Sequence, residues 1–328
     1  MKAVYIREFG GIEHLDVRDV PDPKPPENSE VLVRVRAAGL NRADLLQVKG
    51  LYPAPAGYSS NIPGLEFAGE VVAIGPEVKG RRVGDRVFGI TAGEAQAELL
   101  VSDERLLVTV PHALNFAEAA SVPEAFITAH DAIVTQGRLE RGETVLVHAV
   151  GSGVGLAALQ IAKAIGAKVI GTSRTSEKLR RCADMGLDHS IETGRGSEFS
   201  SQVLEFTDGK GADVILDLVG AAYLSQNLAS VAGKGRLILV GLTSGAVAEF
   251  DMRLVLRKRL TIIGTVLRAR SVAEKAEATR SFTGLVMPHL ESGTIKPNLD
   301  QAFRVEEVRK AYEYLSSNES FGKVVIEF

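Results

Sequence analysis

Over the first ~120 residues, apolar positions alternate with polar ones in short β-branched runs. "KAVYIREF", "LDVRDV", "EVLVRVRAAGL", "LEFAGEVVAIG", "DRVFGIT" and "AELLVSDERLLVTV" read as strands, separated by Gly and Pro turns. "PDPKPPENSE" reads as a loop, because proline has no N–H to give a ladder. These runs predict a mainly antiparallel, barrel-like β domain. From about residue 122 the period lengthens. Helices are predicted at 123–136, 154–165, 176–185, 197–207, 221–230 and 251–258. Strands are predicted at 144–149, 168–173, 189–192, 213–218, 236–240 and 260–266. Unbroken apolar strands such as "DVILDLV", "RLILVG" and "LTIIGTV" fit a doubly wound parallel sheet with both faces covered. The last ~60 residues carry two amphipathic helices and the strand "GKVVIEF". The predicted class is therefore α/β: a parallel nucleotide-type domain, 123–266, inserted in a β domain built from 1–122 plus 267–328. Ligand is expected in the cleft between the two.

At 328 residues the chain exceeds one ordinary core, in keeping with two domains. Net charge is −3, with no clustered basic face, so no nucleic-acid partner is expected. Cys182 is the single cysteine, which excludes internal disulfides and multi-cysteine metal sites and fits a reducing, cytoplasmic setting. "MKAVYIREFGG" carries charges where a secretory leader needs an apolar core. Residues 149–171 are long and apolar enough to suggest a membrane span, with only Lys163 and Lys168 charged. A glycine turn and the strand "AKVIGT" break that run, so no membrane insertion is expected.

The turn is "HAVGSGVG", residues 148–155, at the first strand–helix junction of the parallel series. Read from Gly151, the G-x-G-x-x-G fingerprint fails, because Leu156 takes the third glycine's place. Read as Ala149-x-x-Ser152-x-x-Gly155, Gly155 lets the helix pack on its strand and Gly153 lets backbone approach a pyrophosphate. Ser152, Gly153, Val154 and Gly155 then form an anion cradle at a helix N-terminus. An NAD site wants an Asp or Glu ~20 residues on. The second strand ends instead in Ser173 and Arg174, with Lys178 one helical turn later. A serine and two cations suit a 2′-phosphate, which favours NADPH.

"AAGLNRADLLQVKGLYP" (37–53), "IPGLEFAGEVVAIG" (62–75), "VGDRVFG" (83–89) and the glycine turn share their order and spacing with one known group. The chain resembles the medium-chain dehydrogenase/reductase superfamily, nearest its zinc-independent quinone oxidoreductase branch, the zeta-crystallin-like proteins. The resemblance implies a Rossmann-type sheet inserted in a GroES-like β domain. Zinc-dependent relatives carry a cysteine in the first motif and G-H-E in the second. Here the first motif lacks cysteine, and Leu65 stands in Gly64-Leu65-Glu66, so no metal is expected.

The resemblance places Asn41 and Tyr52 near substrate as hydrogen-bond donors, with Asp44 either functional or structural. It places Thr128 and the backbone at Val240–Gly241 and Leu267–Arg268 toward the cofactor, and leaves Lys323 either reaching the cofactor or standing as a surface lysine. Thr193 stands where relatives offer a tyrosine to adenine.

Hydride addition to a simple ketone leaves an alkoxide, roughly as basic as hydroxide (water's pKa is ~15.7), which needs a Lewis acid or proton relay. Addition to a quinone leaves a phenolate-type anion, nearer a phenol's pKa of ~10, which neutral donors can hold. The expected activity is therefore NADPH-dependent reduction of a small-molecule quinone. Two alternatives stand beside it: an NADPH-dependent enoyl or alkene reductase, and a non-catalytic NADPH- or RNA-binding zeta-crystallin-like protein. A homodimer is expected through the apolar edge strand 260–266.

Overall fold

The computed structural model describes residues 1–194 and 198–328, and divides into two compact units, Met1–Ile127 with Leu267–Phe328, and Thr128–Val266. The first unit opens with β1 (Lys2–Ile6) paired antiparallel to β2 (Leu15–Asp19). The long β3 (Glu30–Leu40) follows, then helix α1 (Arg42–Val48), β4 (Glu66–Ile74), β5 (Arg86–Ile90), β6 (Leu99–Asp103) and β7 (Leu107–Thr109). β3 pairs with β4 along one edge and with β6 along the first half of the other. Alternation along β3 puts Val31, Val33 and Val35 into the core at 1% exposure or less, while Arg34 and Arg36 face out. The short helices α2 (Phe116–Ala120) and α3 (Pro123–His130) lead out of this unit.

Among its described residues the second unit holds six strands. They are β8 (Thr144–Val147), β9 (Lys168–Ser173), β10 (His189–Glu192), β11 (Ala212–Asp217), β12 (Val231–Leu239) and β13 (Thr261–Gly264). All pair in parallel in the order β10-β9-β8-β11-β12-β13. That is a doubly wound sheet whose order reverses beside β8. Its covering helices are α4 (Gly153–Ile165), α5 (Ser176–Ala183), α6 (Ser200–Phe206), α7 (Leu224–Ser230) and α8 (Met252–Lys258). Val145, Leu146 and Val147 are fully buried, as a central strand covered on both faces requires.

The chain then returns to the first unit through α9 (Val272–Glu291), β14 (Leu299–Arg304), α10 (Val308–Ser317) and β15 (Lys323–Glu327). β15 takes the second half of β3's open edge, pairing Val324 with Leu40, so the sequence's last strand lies against the stretch that opens α1. No helix is long and apolar enough to cross a membrane among the described residues, and 149–171 splits into turn, helix and strand.

The strand expected at 236–240 starts five residues earlier, at Val231, the helix expected at 221–230 opens with a 3-10 turn to Tyr223, and three further elements differ. The helix expected over 123–136 is α-helical only to His130, and Asp131–Gln136 forms a π-helical turn. Asp131 is buried there and accepts from the Thr265 hydroxyl at 2.7 Å. The helix expected from 197 begins at Ser200, position 197 lying outside the described residues. The edge strand expected over 260–266 forms over four residues, with Thr261, Ile262 and Gly264 exposed.

Candidate active site

The glycine turn folds as a helix entrance. Ser152 is the N-cap of α4, extended at φ −81° and ψ 166°, and its Oγ accepts from the Gly155 amide at 3.1 Å. The hydroxyl proton of Ser152 stays available to donate, so one serine both caps the helix and can serve an anion. A side chain at Gly155 would bring its Cβ within 2.5 Å of the Ala149 carbonyl and 2.6 Å of that of Val150. Only glycine lets the helix pass its strand this closely, the role expected of the third position. These residues fit a dinucleotide's pyrophosphate: Ser152, Gly153, Val154 and Gly155 stand together at the first turn of a 13-residue helix.

At the end of β9, Ser173 is buried and Arg174 exposed, with no partner for the guanidinium among the described residues. Lys178 lies half-buried on α5. Thr193 is buried, donates to the Ser173 carbonyl at 3.3 Å and accepts from the Tyr223 hydroxyl at 2.9 Å. It therefore braces the neighbouring strand end rather than offering a face to a ring. Val240 and Gly241 donate their amides to the Asp217 carbonyl at 2.9 and 3.2 Å, which leaves only their carbonyls for a ligand. Thr128 is half-buried, its hydroxyl without a partner among the described residues. Just past the end of β8, His148 is fully buried between Thr172 (3.0 Å) and Asn227 (2.6 Å). Asn227 spends its amide on Asp217, so its oxygen accepts from His148 Nε2–H. Burial holds this imidazole's pKa down, so it packs as a neutral histidine.

In the first unit, a buried polar cluster stands where α1, β4 and β15 meet. Glu66, at 0% exposure, forms an ion pair with Lys323, itself 4% exposed. Gly39 makes room for that carboxylate, since a side chain there would run into it. Glu66 also accepts from Asn41 Nδ2 at 2.9 Å and from the Glu124 amide at 2.8 Å. Lys323 Nζ spends its other two protons on the Leu40 carbonyl (2.7 Å) and Asn41 Oδ1 (2.6 Å). All three ammonium protons are thus engaged, so Lys323 is neither a surface lysine nor a hand extended to the cofactor. Asn41 is corrected as well: both ends of its amide are used, with only a 3.5 Å contact to the Gly39 carbonyl for its second N–H. It is a keystone of the cluster, not a free oxyanion donor.

Asp44 is fully buried at the third position of α1, where it accepts from the Asn41 amide at 2.8 Å. Gly64 N and Gln96 Nε2 approach it at 3.3 and 3.4 Å. Burial pushes its pKa up to about 6 against the pull of the Asn41 amide and Lys323. It caps the helix and pins the Gly64 loop, an arrangement that fits the structural of the two readings left open by sequence.

Tyr52 keeps its expected availability. It is half-buried, and its hydroxyl has no partner among the described residues. The Arg268 guanidinium lies 4.7 Å from its ring centroid and donates to its carbonyl at 3.0 Å. Arg268, 4% exposed, also holds Gln47 Oε1 at 2.6 Å and the Ala92 carbonyl at 2.8 Å. Its carbonyl is taken by Lys275 at 2.9 Å, and Leu267 is buried with its own bonded to the Arg270 amide. Arg268 therefore acts through its side chain, as the base on which the Tyr52 loop rests, where backbone lining had been expected. Burial raises the Tyr52 pKa and Arg268 pulls it back, so the phenol stays a donor at neutral pH. One face of the ring is covered by the Arg268 guanidinium.

Sequence reasoning missed Glu66, Gln47, Arg268's side chain and Glu124. Glu66 stood in the Gly64-Leu65-Glu66 triplet and Glu124 in "VPEAFITA", but nothing local announces that either carboxyl is drawn inside. No group of three or more His, Cys, Asp or Glu side chains among the described residues could hold a metal ion. Cys182 is buried, and its thiol is pushed up to about 12, which makes it inert.

Comparison with known proteins follows this geometry. Residues 27–132 match the family described as "Alcohol dehydrogenase GroES-like domain", and residues 153–281 match "Zinc-binding dehydrogenase". The chain is 36% identical over 326 residues to a "Quinone oxidoreductase" of Pseudomonas aeruginosa, covering 99% of each. Among solved structures it is similar to the CurK enoyl reductase, at 27% identity and a TM-score of 0.88 over 99% of this chain and 98% of that one. A mycobacterial protein solved in complex with NADPH matches at 29% identity and a TM-score of 0.88, with 100% of each chain covered.

Proposed function

Because the chain belongs to the medium-chain dehydrogenase/reductase superfamily and is an oxidoreductase of it, we propose that it reduces quinones with NADPH and without a metal. A reduced nicotinamide, when bound, supplies a hydride from C4 of its ring. Ser152 and the opening turn of α4 hold the pyrophosphate, while Ser173, Arg174 and Lys178 hold the 2′-phosphate. Tyr52 receives the acceptor, stacking its ring on a flat conjugated system and donating its hydroxyl to the developing anion.

The observation that carries this reading is the donor set. Among the described residues Tyr52 offers an unpartnered phenol, enough for a phenolate-type product, and no group of three or more His, Cys, Asp or Glu side chains stands where a Lewis-acid metal could be held. Its likeness over nearly the full chain to a named quinone oxidoreductase points the same way. Likeness to a named enoyl reductase favours a second reading, reduction of a conjugated alkene, whose enolate asks for a similar donor. Coenzyme choice tests the first: with one quinone as acceptor, kcat/KM for NADPH exceeds that for NADH, and a preference for NADH contradicts it. A second copy of the chain pairs at β13, where Ile262 is 38% and Val266 50% exposed beside an open sheet edge. Light scattering at the monomer mass would refute that pairing.

A further inference from the structure

The cluster around Glu66 contains a carboxyl that nothing in the fold requires. Glu66 is fully used: Lys323, Asn41 and the Glu124 amide take its oxygens. Asp44 is fully used as a cap. The Glu124 side chain is different. It sits in the first turn of α3, tied down by its own amide to Glu66, yet its carboxyl has no hydrogen-bond partner among the described residues. It is partly accessible, whereas Glu66 and Asp44 are at 0% exposure.

The charged and titratable groups around it come from every neighbouring element: Glu66 on β4, Lys323 on β15, Asp44 on α1 and Lys275 on α9. Its charge is felt in turn at Tyr52 and at Arg268 beneath that ring. A partly accessible residue whose carboxyl is unspent, whose backbone is anchored on Glu66 and whose charge reaches an unspent phenol meets the requirements of a proton donor.

We infer that Glu124 is the proton donor of the reaction, delivering its carboxyl hydrogen to the acceptor that Tyr52 orients. The inference rests on the function proposed above. Two electrons and one hydrogen enter the acceptor as the hydride from the reduced nicotinamide. The Glu124 O–H bond breaks as an O–H bond forms on the quinone oxygen, or a C–H bond on an enolate carbon. Glu124 is left a carboxylate and takes a proton back from water. Its own charge state agrees: burial, and then the repulsion of Glu66, push its pKa up to about 8, against the pull of Lys323. The dipole of α3 favours the ionised form and is outweighed. Glu124 therefore still holds its proton at pH 7, where an ordinary glutamate has lost it.

Two variants and two readouts test this. Glu124→Gln keeps the shape and removes the acid; Glu124→Asp keeps the acid. In ligand-free protein at pH 7, the infrared difference between wild type and Glu124→Gln shows a protonated-carboxyl C=O stretch, and its absence overturns the inference. In turnover with NADPH and a quinone, wild-type kcat falls as pH rises through the Glu124 titration. Glu124→Gln lowers kcat about a hundredfold or more and loses that limb, and Glu124→Asp restores part of both. An active wild type whose Gln variant keeps its kcat and pH profile overturns the assignment of Glu124 alone. A wild type that oxidises NADPH with no acceptor overturns the function beneath it, and so both.

Discussion

Replacing Lys323 with methionine removes one partner of an ion pair in which Glu66 is 0% and Lys323 4% exposed. Nothing else in the cluster can neutralise Glu66: its remaining contacts, Asn41 Nδ2 and the Glu124 amide, are neutral donors. Leaving a buried charge unpaired costs about 3–5 kcal/mol. The Leu40 carbonyl and Asn41 Oδ1 lose a charged donor as well, so the upper half of that range is expected. Urea unfolding of the cofactor-free protein, followed by far-UV circular dichroism, reads the loss as a fall in midpoint at constant slope. Adding Glu66→Gln removes the stranded charge, so the double variant recovers part of the loss despite carrying two changes. A loss below about 1 kcal/mol, the range of exposed pairs, refutes the reasoning. So does a double variant no more stable than the single one. Intact stability with weakened NADPH binding would return Lys323 to the cofactor role its sequence position suggests.

Arg174→Asp should weaken NADPH by about tenfold or more, the worth of a lost hydrogen bond to a charged group, while NADH binding changes little. Nucleotide fluorescence titration checks it, and equal loss for both nucleotides means that Arg174 does not read the 2′-phosphate. Asp44 gives a pH signature. Its folded pKa, about 6, lies above the unfolded value of 3.8, so the native state holds the extra proton and stability falls as pH rises between them. Asp44→Asn abolishes that term. Relative to wild type it gains about 2–3 kcal/mol between pH 4 and pH 7 in urea midpoints. A difference independent of pH would show Asp44 titrating normally.

The architecture was legible because its signals are local. Alternating runs and continuous apolar runs mark the two sheets, and "HAVGSGVG" marks the turn that Ser152 caps and Gly155 allows to close. The exposed place of Arg174, just past the end of β9, was legible for the same reason. The polar cluster was not. Whether Asn41 is a free donor depends on Lys323, 282 positions away, which reaches it only because β15 pairs with β3. Glu66 and Glu124 read as ordinary solvated carboxyls, since glutamate is almost never fully buried without a partner that sequence cannot locate. The π-helical turn at 131–136 escaped a helical period that fits it almost as well as an α-helix.

Steady-state oxidation of NADPH, measured side by side with a 1,4-naphthoquinone and an enoyl thioester, tests the central claim most directly. A metal-free site built on the Tyr52 phenol predicts a higher kcat/KM for the quinone, unchanged by a metal chelator. A higher kcat/KM for the thioester would contradict it.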